Sequence, residues 1–231
     1  HELVNFFSDK QVSGVVNAPD LLASQQPELK PWTRLCEQMG SIVAQLLGGG
    51  VSRVQVEVVG PAVGKAGSLC AASALIGLFK TLTNDISLNL VNAPIVARDR
   101  DIEVAHSVGE AGVYNQLVTL TVKTGTQTQI ISGTVFGNQG RIVRLGHHWI
   151  EFSPGGYSLI YRNIDKPGVL ASVAGCMASK KVNIGSAIIS SCDSEGFVTS
   201  IMSLDKKLGA EVLAQLKALP DVAEVHLVHI A

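Results

Sequence analysis

The residue types best suited to chemistry lie in one short segment, Asp165-Lys-Pro-Gly-Val-Leu170. Proline fits the first turn of a helix, because the amide hydrogen that it lacks would have no partner there. The amides of the next three residues then point out of a helix N-terminus and form a small anion site. Asp165 beside them offers an acceptor to an ammonium group. The segment therefore matches a free α-amino acid, with predicted contacts at Asp165, Pro167, Gly168, Val169 and Leu170.

A second polar residue follows the predicted helix. Asn183 begins the next strand, and its side-chain amide offers a ligand both a donor and an acceptor. The structural alternative is that Asp165 only favours the helix start and Asn183 only turns the chain. Spacing alone supports the two interpretations equally.

The elements that must position these residues follow a regular order. Apolar residues at spacings typical of strands and helices predict four strands and two helices after residue 156. The strands are 157–163, 182–190, 197–204 and 221–230, and the helices are 167–180 and 208–219. The order βαββαβ predicts a ferredoxin-like fold, an antiparallel four-stranded sheet with both helices on one face.

The preceding residues predict a separate unit, so the fold class is α+β with two domains. Residues 32–47 have apolar side chains at helical spacing and end at three glycines. Residues 51–59 alternate valine with polar residues, as a half-buried strand does. Further helices are predicted at 66–82 and 93–100, and further strands at 102–105, 115–122, 127–136 and 141–145.

Composition excludes several classes of function. The 231 residues are 46% hydrophobic and 16% charged, which is typical of a folded chain. The 18 basic residues against 19 acidic ones give no basic excess, so nucleic-acid binding is not expected. The longest apolar run, 68–79, is too short to span a bilayer, and no signal peptide is recognisable. We therefore expect a cytoplasmic protein with no membrane and no nucleic-acid partner.

Motifs for catalysis or metal binding do not stand out. Gly60-Pro-Ala-Val-Gly-Lys65 resembles a phosphate loop but is one residue short and lacks the hydroxyl that binds magnesium. His147 and His148 are adjacent, so on a strand they point to opposite faces and form no metal site. The cysteines lack zinc or redox spacing and are expected to be reduced thiols; they are Cys36, Cys70, Cys176 and Cys192. We expect neither covalent catalysis nor a cofactor in this chain.

Several short motifs, taken in order, resemble the regulatory half of the D-3-phosphoglycerate dehydrogenases. Asp165-Lys-Pro-Gly-Val-Leu170 followed by Val182-Asn-Ile184 is similar to the signature of an ACT domain, an amino-acid-sensing module. The upstream motifs are Gly14-Val-Val-Asn-Ala18, Lys30-Pro-Trp32, Asn89-Leu-Val-Asn-Ala93 and Ser132-Gly-Thr134. The resemblance implies an exit segment from catalytic domains at 1–29, an intervening, allosteric-substrate-binding domain at 30–152 and an ACT domain at 153–231.

The resemblance also implies a function. The family oxidises 3-phosphoglycerate with NAD to begin serine biosynthesis, and the NAD and catalytic sites would lie outside this chain. In many members L-serine inhibits by binding between paired ACT domains, which implies a homodimer or homotetramer. The serine-contacting positions fall on Asn163, Asp165 and Asn183, although regulated bacterial members tend to have histidine or tyrosine in place of Asn163.

An anion site in the first domain is also predicted, because arginine suits phosphate and carboxylate recognition. The candidates are Arg98, Arg100, Arg141 and Arg144. Two alternative functions remain open. In the first, the chain is an oligomerisation module without an effector site. In the second, it is a subunit related to the iron–sulfur serine dehydratases, which need suitably spaced cluster cysteines.

Overall fold

A six-stranded sheet forms the framework of the first domain. The structure is a computed structural model that describes residues 19–230, so the motif Gly14–Ala18 lies outside it. The strands are β1 Val51–Val59, β2 Glu103–Val108, β3 Leu117–Thr124, β4 Thr128–Phe136, β5 Gln139–Leu145 and β6 His148–Phe152. Their order is β2-β1-β3-β4-β5-β6, with β1 and β2 parallel and the other pairs antiparallel.

Helices cover one face of this sheet. They are α1 Pro19–Ser24, α2 Lys30–Leu47, α3 Gly67–Thr83 and α4 Ala93–Asp99. The alternating valines of β1 are buried beneath them, as the sequence pattern predicts. None of the helices within residues 19–230 is long and apolar enough to cross a membrane.

Two glycines allow α2 and α3 to pack with their backbones in contact. A Cβ atom on Gly77 of α3 would lie 1.8 Å from the carbonyl oxygen of Glu37 on α2. A Cβ atom on Gly40 of α2 would lie 2.0 Å from the carbonyl oxygen of Ala74 on α3. The side chains at such a contact set the distance between helix axes, so this close packing requires glycine at both positions.

The second domain has the predicted βαββαβ order. Its elements are β7 Gly156–Ile164, α5 Val169–Ser179, β8 Ile184–Ile189, β9 Phe197–Leu204, α6 Ala210–Lys217 and β10 Val222–Ile230. The sheet order is β10-β7-β9-β8, and every pair is antiparallel. Leu159, Tyr161 and Met202 pack beneath α5 and α6, in one core with Val173 and Leu216 of these helices. The ferredoxin-like prediction is confirmed.

The other face of this second sheet packs against the first domain. Ile160, Ile201 and Val228 belong to the same buried cluster as the α2 and α3 side chains. Gln45 of α2 adds two hydrogen bonds to the backbone of His229: its Nε2 donates to the carbonyl at 2.9 Å, and its Oε1 accepts from the amide at 2.8 Å. The side-chain amide of Gln45 thus bonds to the outer edge of β10, where the backbone of a further strand would otherwise pair.

The structure differs from the sequence-based prediction at a few elements. α1 and β6 were not predicted, since each is short; in β6 only Ile150 and Phe152 are buried. α5 begins at Val169 rather than Pro167, because Gly168 has a φ of 95°, a left-handed conformation that no helix interior accepts. α6 likewise spans Ala210–Lys217 instead of 208–219, since Gly209 before it is extended.

Candidate functional site

The predicted amino-acid site lies on the surface between the end of β7 and the start of α5. Asp165 is exposed, and its backbone amide donates to the carbonyl of Gly196 at 3.0 Å, which fixes the loop after β7. Gly168 caps α5, and its carbonyl accepts from the amide and the hydroxyl of Ser172 at 2.9 and 3.0 Å. The carboxylate and the helix N-terminus therefore share one short, well-fixed loop.

The amides at this helix start are not all equally available to an anion. The amide of Val169 makes a long, 3.5 Å contact with the carbonyl of Lys166 in the turn before the helix. Leu170 and Ala171, the next two residues, have amides without a backbone acceptor in the described part of the chain. Pro167 lies in the turn and contributes no donor. An anion would therefore meet the amides of Leu170 and Ala171, where the helix dipole favours negative charge.

Asn163 lies just inside this loop and is buried. Its Nδ2 donates to the carbonyl of Ile164 at 2.8 Å, and its Oδ1 accepts from the hydroxyl of Ser200 at 3.1 Å. These two bonds leave one Nδ2 hydrogen of the amide for a ligand. Asn163 thus presents one N–H donor, and its Oδ1, which accepts from Ser200, retains one lone pair.

Asn183 is not brought to Asp165 within one chain. β7 and β8 both pair antiparallel with β9, so they run in the same direction. Asn183 precedes β8 and therefore lies at the end where β7 begins, whereas Asp165 follows the end of β7. α5, with 11 residues, spans the distance between these ends, about 16 Å at 1.5 Å per residue. The backbone of Asn183 is held there by Asp205, whose carboxylate accepts from its amide at 2.9 Å.

Sequence reasoning missed two residues that support the site, Tyr161 and Ser200. Both are 2% exposed and lie opposite each other on β7 and β9. Burial raises the pKa of the Tyr161 phenol, and the nearby Ser200 hydroxyl opposes this effect. The sequence did contain a signal for Ser200. It is a polar residue at a position of β9 where the alternation of the strand predicts a buried side chain facing the helices.

The four candidate arginines of the first domain form two separate pairs. Arg98 and Arg100 lie at the end of α4, which packs against β2, whereas Arg141 and Arg144 lie on β5. β2 and β5 are four strands apart, about 19 Å at the usual strand spacing. Arg141 and Arg144 share one face, since their cross-strand partners on β4 are two residues apart. Arg141 donates to the hydroxyl of Ser153, and Arg144 lies over the ring of Trp149.

His147 and His148 line a cleft of about 490 Å³ between the two sheets. The guanidinium of Arg162 in this cleft is already paired with Asp193 and Glu195, at 3.0 and 2.8 Å. Across residues 19–230, the structure contains no group of three histidine, cysteine or acidic residues arranged to hold a metal ion.

The cysteines are also dispersed. Cys36 of α2 and Cys70 of α3 are buried, and the neighbouring Cys70 thiol, together with burial, raises the pKa of Cys36. Cys176 lies on α5 and Cys192 is exposed in the turn before β9. This distribution gives no common point at which the thiols could bind a cluster.

The segment that resembles a phosphate loop leads into α3, but a carboxylate already lies at this helix start. The hydroxyl of Ser68 donates to the carboxylate of Asp20 on α1 at 2.6 Å. The segment therefore joins β1 to α3, and the negative charge of Asp20 lies near the start of this helix, where the helix dipole favours it.

Two family descriptions match the two domains. Residues 28–146 match the D-3-phosphoglycerate dehydrogenase intervening domain. Residues 158–224 match the acetohydroxyacid synthase (AHAS) small subunit-like ACT domain. Among solved structures, a homoserine dehydrogenase from Thiobacillus denitrificans aligns with 52% of this chain and 35% of its own, at 16% identity and a TM-score of 0.28.

Curated relatives named D-3-phosphoglycerate dehydrogenase match nearly the whole chain. The protein from Methanocaldococcus jannaschii is 28% identical over 94% of this chain and 41% of its own length. The protein from Archaeoglobus fulgidus is 29% identical over 99% of this chain and 44% of its own length. The protein from Bacillus subtilis is 24% identical over 98% of this chain and 43% of its own length. The chain thus spans less than half the length of these relatives.

Proposed function

The chain belongs to the D-3-phosphoglycerate dehydrogenase family, and we propose that it is the amino-acid-sensing part of such an enzyme in the cytoplasm. The effector is a small amino acid, L-serine. The observation that carries the proposal is the exposed carboxylate of Asp165 just before α5, in whose first turn the amides of Leu170 and Ala171 have no backbone acceptor among the described residues. A carboxylate and a helix N-terminus complement the ammonium and carboxylate groups of an α-amino acid.

We assign the oxidation of 3-phosphoglycerate and the binding of NAD to the remainder of such an enzyme. The relatives are more than twice as long as the segment that this chain matches. A regulatory role for this chain then means that effector binding stabilises one arrangement of the second domains of two paired chains. This arrangement makes other contacts with the catalytic part than the arrangement without effector does.

The site is completed by a second copy of the chain. β8 is the outer strand of its sheet, and within the described residues its outer edge has no partner. Its residues carry no charge, and Ala187 and Ile189 are exposed, so this edge lacks the usual protection against pairing. Antiparallel pairing of two β8 edges about a two-fold axis brings the start of one strand beside the end of the other. The partner subunit's Asn183 then lies at the end of the sheet where Asp165 is found.

The direct test is a calorimetric titration of the 231-residue chain with L-serine. We expect stereoselective binding near one site per chain, with D-serine and glycine as controls. D-serine reverses the positions of the groups around the α-carbon, and glycine lacks the side-chain hydroxyl. Absence of heat from a well-folded dimer would contradict the sensing function and favour the alternative, an oligomerisation module alone.

Ile189→Lys should convert the dimer to a monomer and abolish L-serine binding. Ile189 is 46% exposed on the outer edge of β8, and a lysine there places a charge against the partner strand. Binding is lost with the dimer because the partner's Asn183 is removed from the site. Sedimentation equilibrium measures the mass, and titration of the same sample measures the binding.

The matched control is Val108→Lys on β2, the outer strand of the first sheet. Val108 is 67% exposed, so the substitution adds the same charge to an edge strand that the proposal leaves unpaired. This variant should keep both the dimer and the binding. A dimer that persists in Ile189→Lys would exclude β8 as the dimerisation edge.

A further inference from the structure

The side-chain amide of Asn163 is held by buried hydrogen bonds, and we infer that Ser200 is a positioning residue that holds this amide in the orientation that leaves one N–H for the effector. The inference rests on the proposed function, because it takes the amino acid as the ligand of Asn163. Asn163 is 5% exposed and Ser200 is 2% exposed, so water cannot substitute for either partner. A buried polar group without its partner is costly, so the contact with Ser200 stabilises the amide in its observed position.

The orientation follows from the two bonds of Asn163. The carbonyl of Ile164 can only accept, so the atom 2.8 Å from it must be the donor Nδ2. Oδ1 then faces the hydroxyl of Ser200 at 3.1 Å, and this hydroxyl donates to it. Turning the amide over would place Oδ1 against the carbonyl oxygen of Ile164 and lose a bond. The amide is therefore fixed with its free hydrogen available as a donor.

The Tyr161 phenol lies near Ser200 in the core. Tyr161 is opposite Ser200 on the neighbouring strand and, like Ser200, is 2% exposed. The side chains of Ser200 and Asn163 thus form a buried hydrogen-bonded pair beside the loop of Asp165. Because Asn163 keeps one N–H unused by these two bonds, the site can donate to a carboxylate or hydroxyl oxygen of the ligand at that point.

A double-mutant cycle tests this role. Ser200→Ala, Asn163→Ala and the double variant are titrated with L-serine, beside the unmodified chain. We expect Ser200→Ala to weaken binding about three- to tenfold, the range for loss of one neutral hydrogen bond. Ser200→Ala should add no further loss in the Asn163→Ala background, because Ser200 acts only through Asn163. If Asn163→Ala does not fold, Asn163→Ser closes the same cycle.

Ser158→Ala is the matched control. Ser158 is a 2% exposed serine on β7, and by strand alternation it lies on the opposite face of the sheet from Tyr161. It should leave the affinity unchanged. Suppose that the unmodified chain binds L-serine. If Ser200→Ala then binds equally well, or if the losses in Ser200→Ala and Asn163→Ala simply add in the double variant, the positioning role is wrong and the sensing function is unaffected. If the unmodified chain does not bind, the sensing function itself fails, and the positioning role with it.

Discussion

Gly77→Ala should lower the free energy of unfolding of this chain by about 3 kcal/mol, at the upper end of the usual cost of overpacking a core. The new Cβ atom would lie 1.8 Å from the carbonyl oxygen of Glu37 and 2.7 Å from its carbonyl carbon. These are backbone atoms of α2, so no side chain can rotate to make room. The helices must move apart, which loosens the packing of the buried side chains between them and the sheet.

Thermal unfolding followed by circular dichroism measures the effect. For a chain of this size, about 3 kcal/mol corresponds to a fall in Tm of roughly 6–12 °C. The matched control is Gly175→Ala on α5, where the added Cβ atom meets nothing within 4 Å. This variant should gain about 1 kcal/mol, since alanine is the better helix former. Equal Tm values for the two variants would show that the α2–α3 contact tolerates a methyl group and that the packing argument is wrong.

The order of elements could be predicted because the buried apolar residues of most helices and strands recur at one regular spacing. The second sheet was predicted from periodicity alone, but the partner of its second face was not. Leu159, Ile160 and Tyr161 are consecutive and apolar, a pattern that indicates burial on both faces of a strand. Periodicity does not tell which element covers the second face, because the contact between Gln45 and His229 joins residues far apart in sequence.

The candidate site was predictable only in its local part. This part lies within six consecutive residues and contains Asp165, Gly168 and Leu170. A strand end followed by a helix start is therefore sufficient to bring these residues together. The position of Asn183 depends on strand direction: residues near in sequence lie at opposite ends of the sheet because α5 runs between them. The contact of Asn163 with Ser200 likewise depends on strand register, which single-sequence patterns do not determine.

Asp165→Asn should weaken L-serine binding by about 10- to 150-fold, the range for a hydrogen bond to a charged group. The substitution keeps the size of the side chain but removes its charge, and the new NH₂ group can face the ligand's ammonium group with a donor. Asp165 is exposed, and its side chain makes no hydrogen bond or ion pair with another described residue. The Tm should therefore stay unchanged, which separates loss of binding from loss of folding.

The matched control for charge is Glu211→Gln on α6 of the same domain. Glu211 is exposed and paired with Lys180 at 3.1 Å, a surface ion pair that contributes little to stability. The control removes one negative charge, as Asp165→Asn does, so a general effect of net charge on L-serine binding would appear in both variants. Since the charge of Asp165 acts through direct contact with the ligand, only Asp165→Asn should lose affinity. Unchanged affinity in Asp165→Asn would show that the ammonium group binds elsewhere and that this loop is not the effector site.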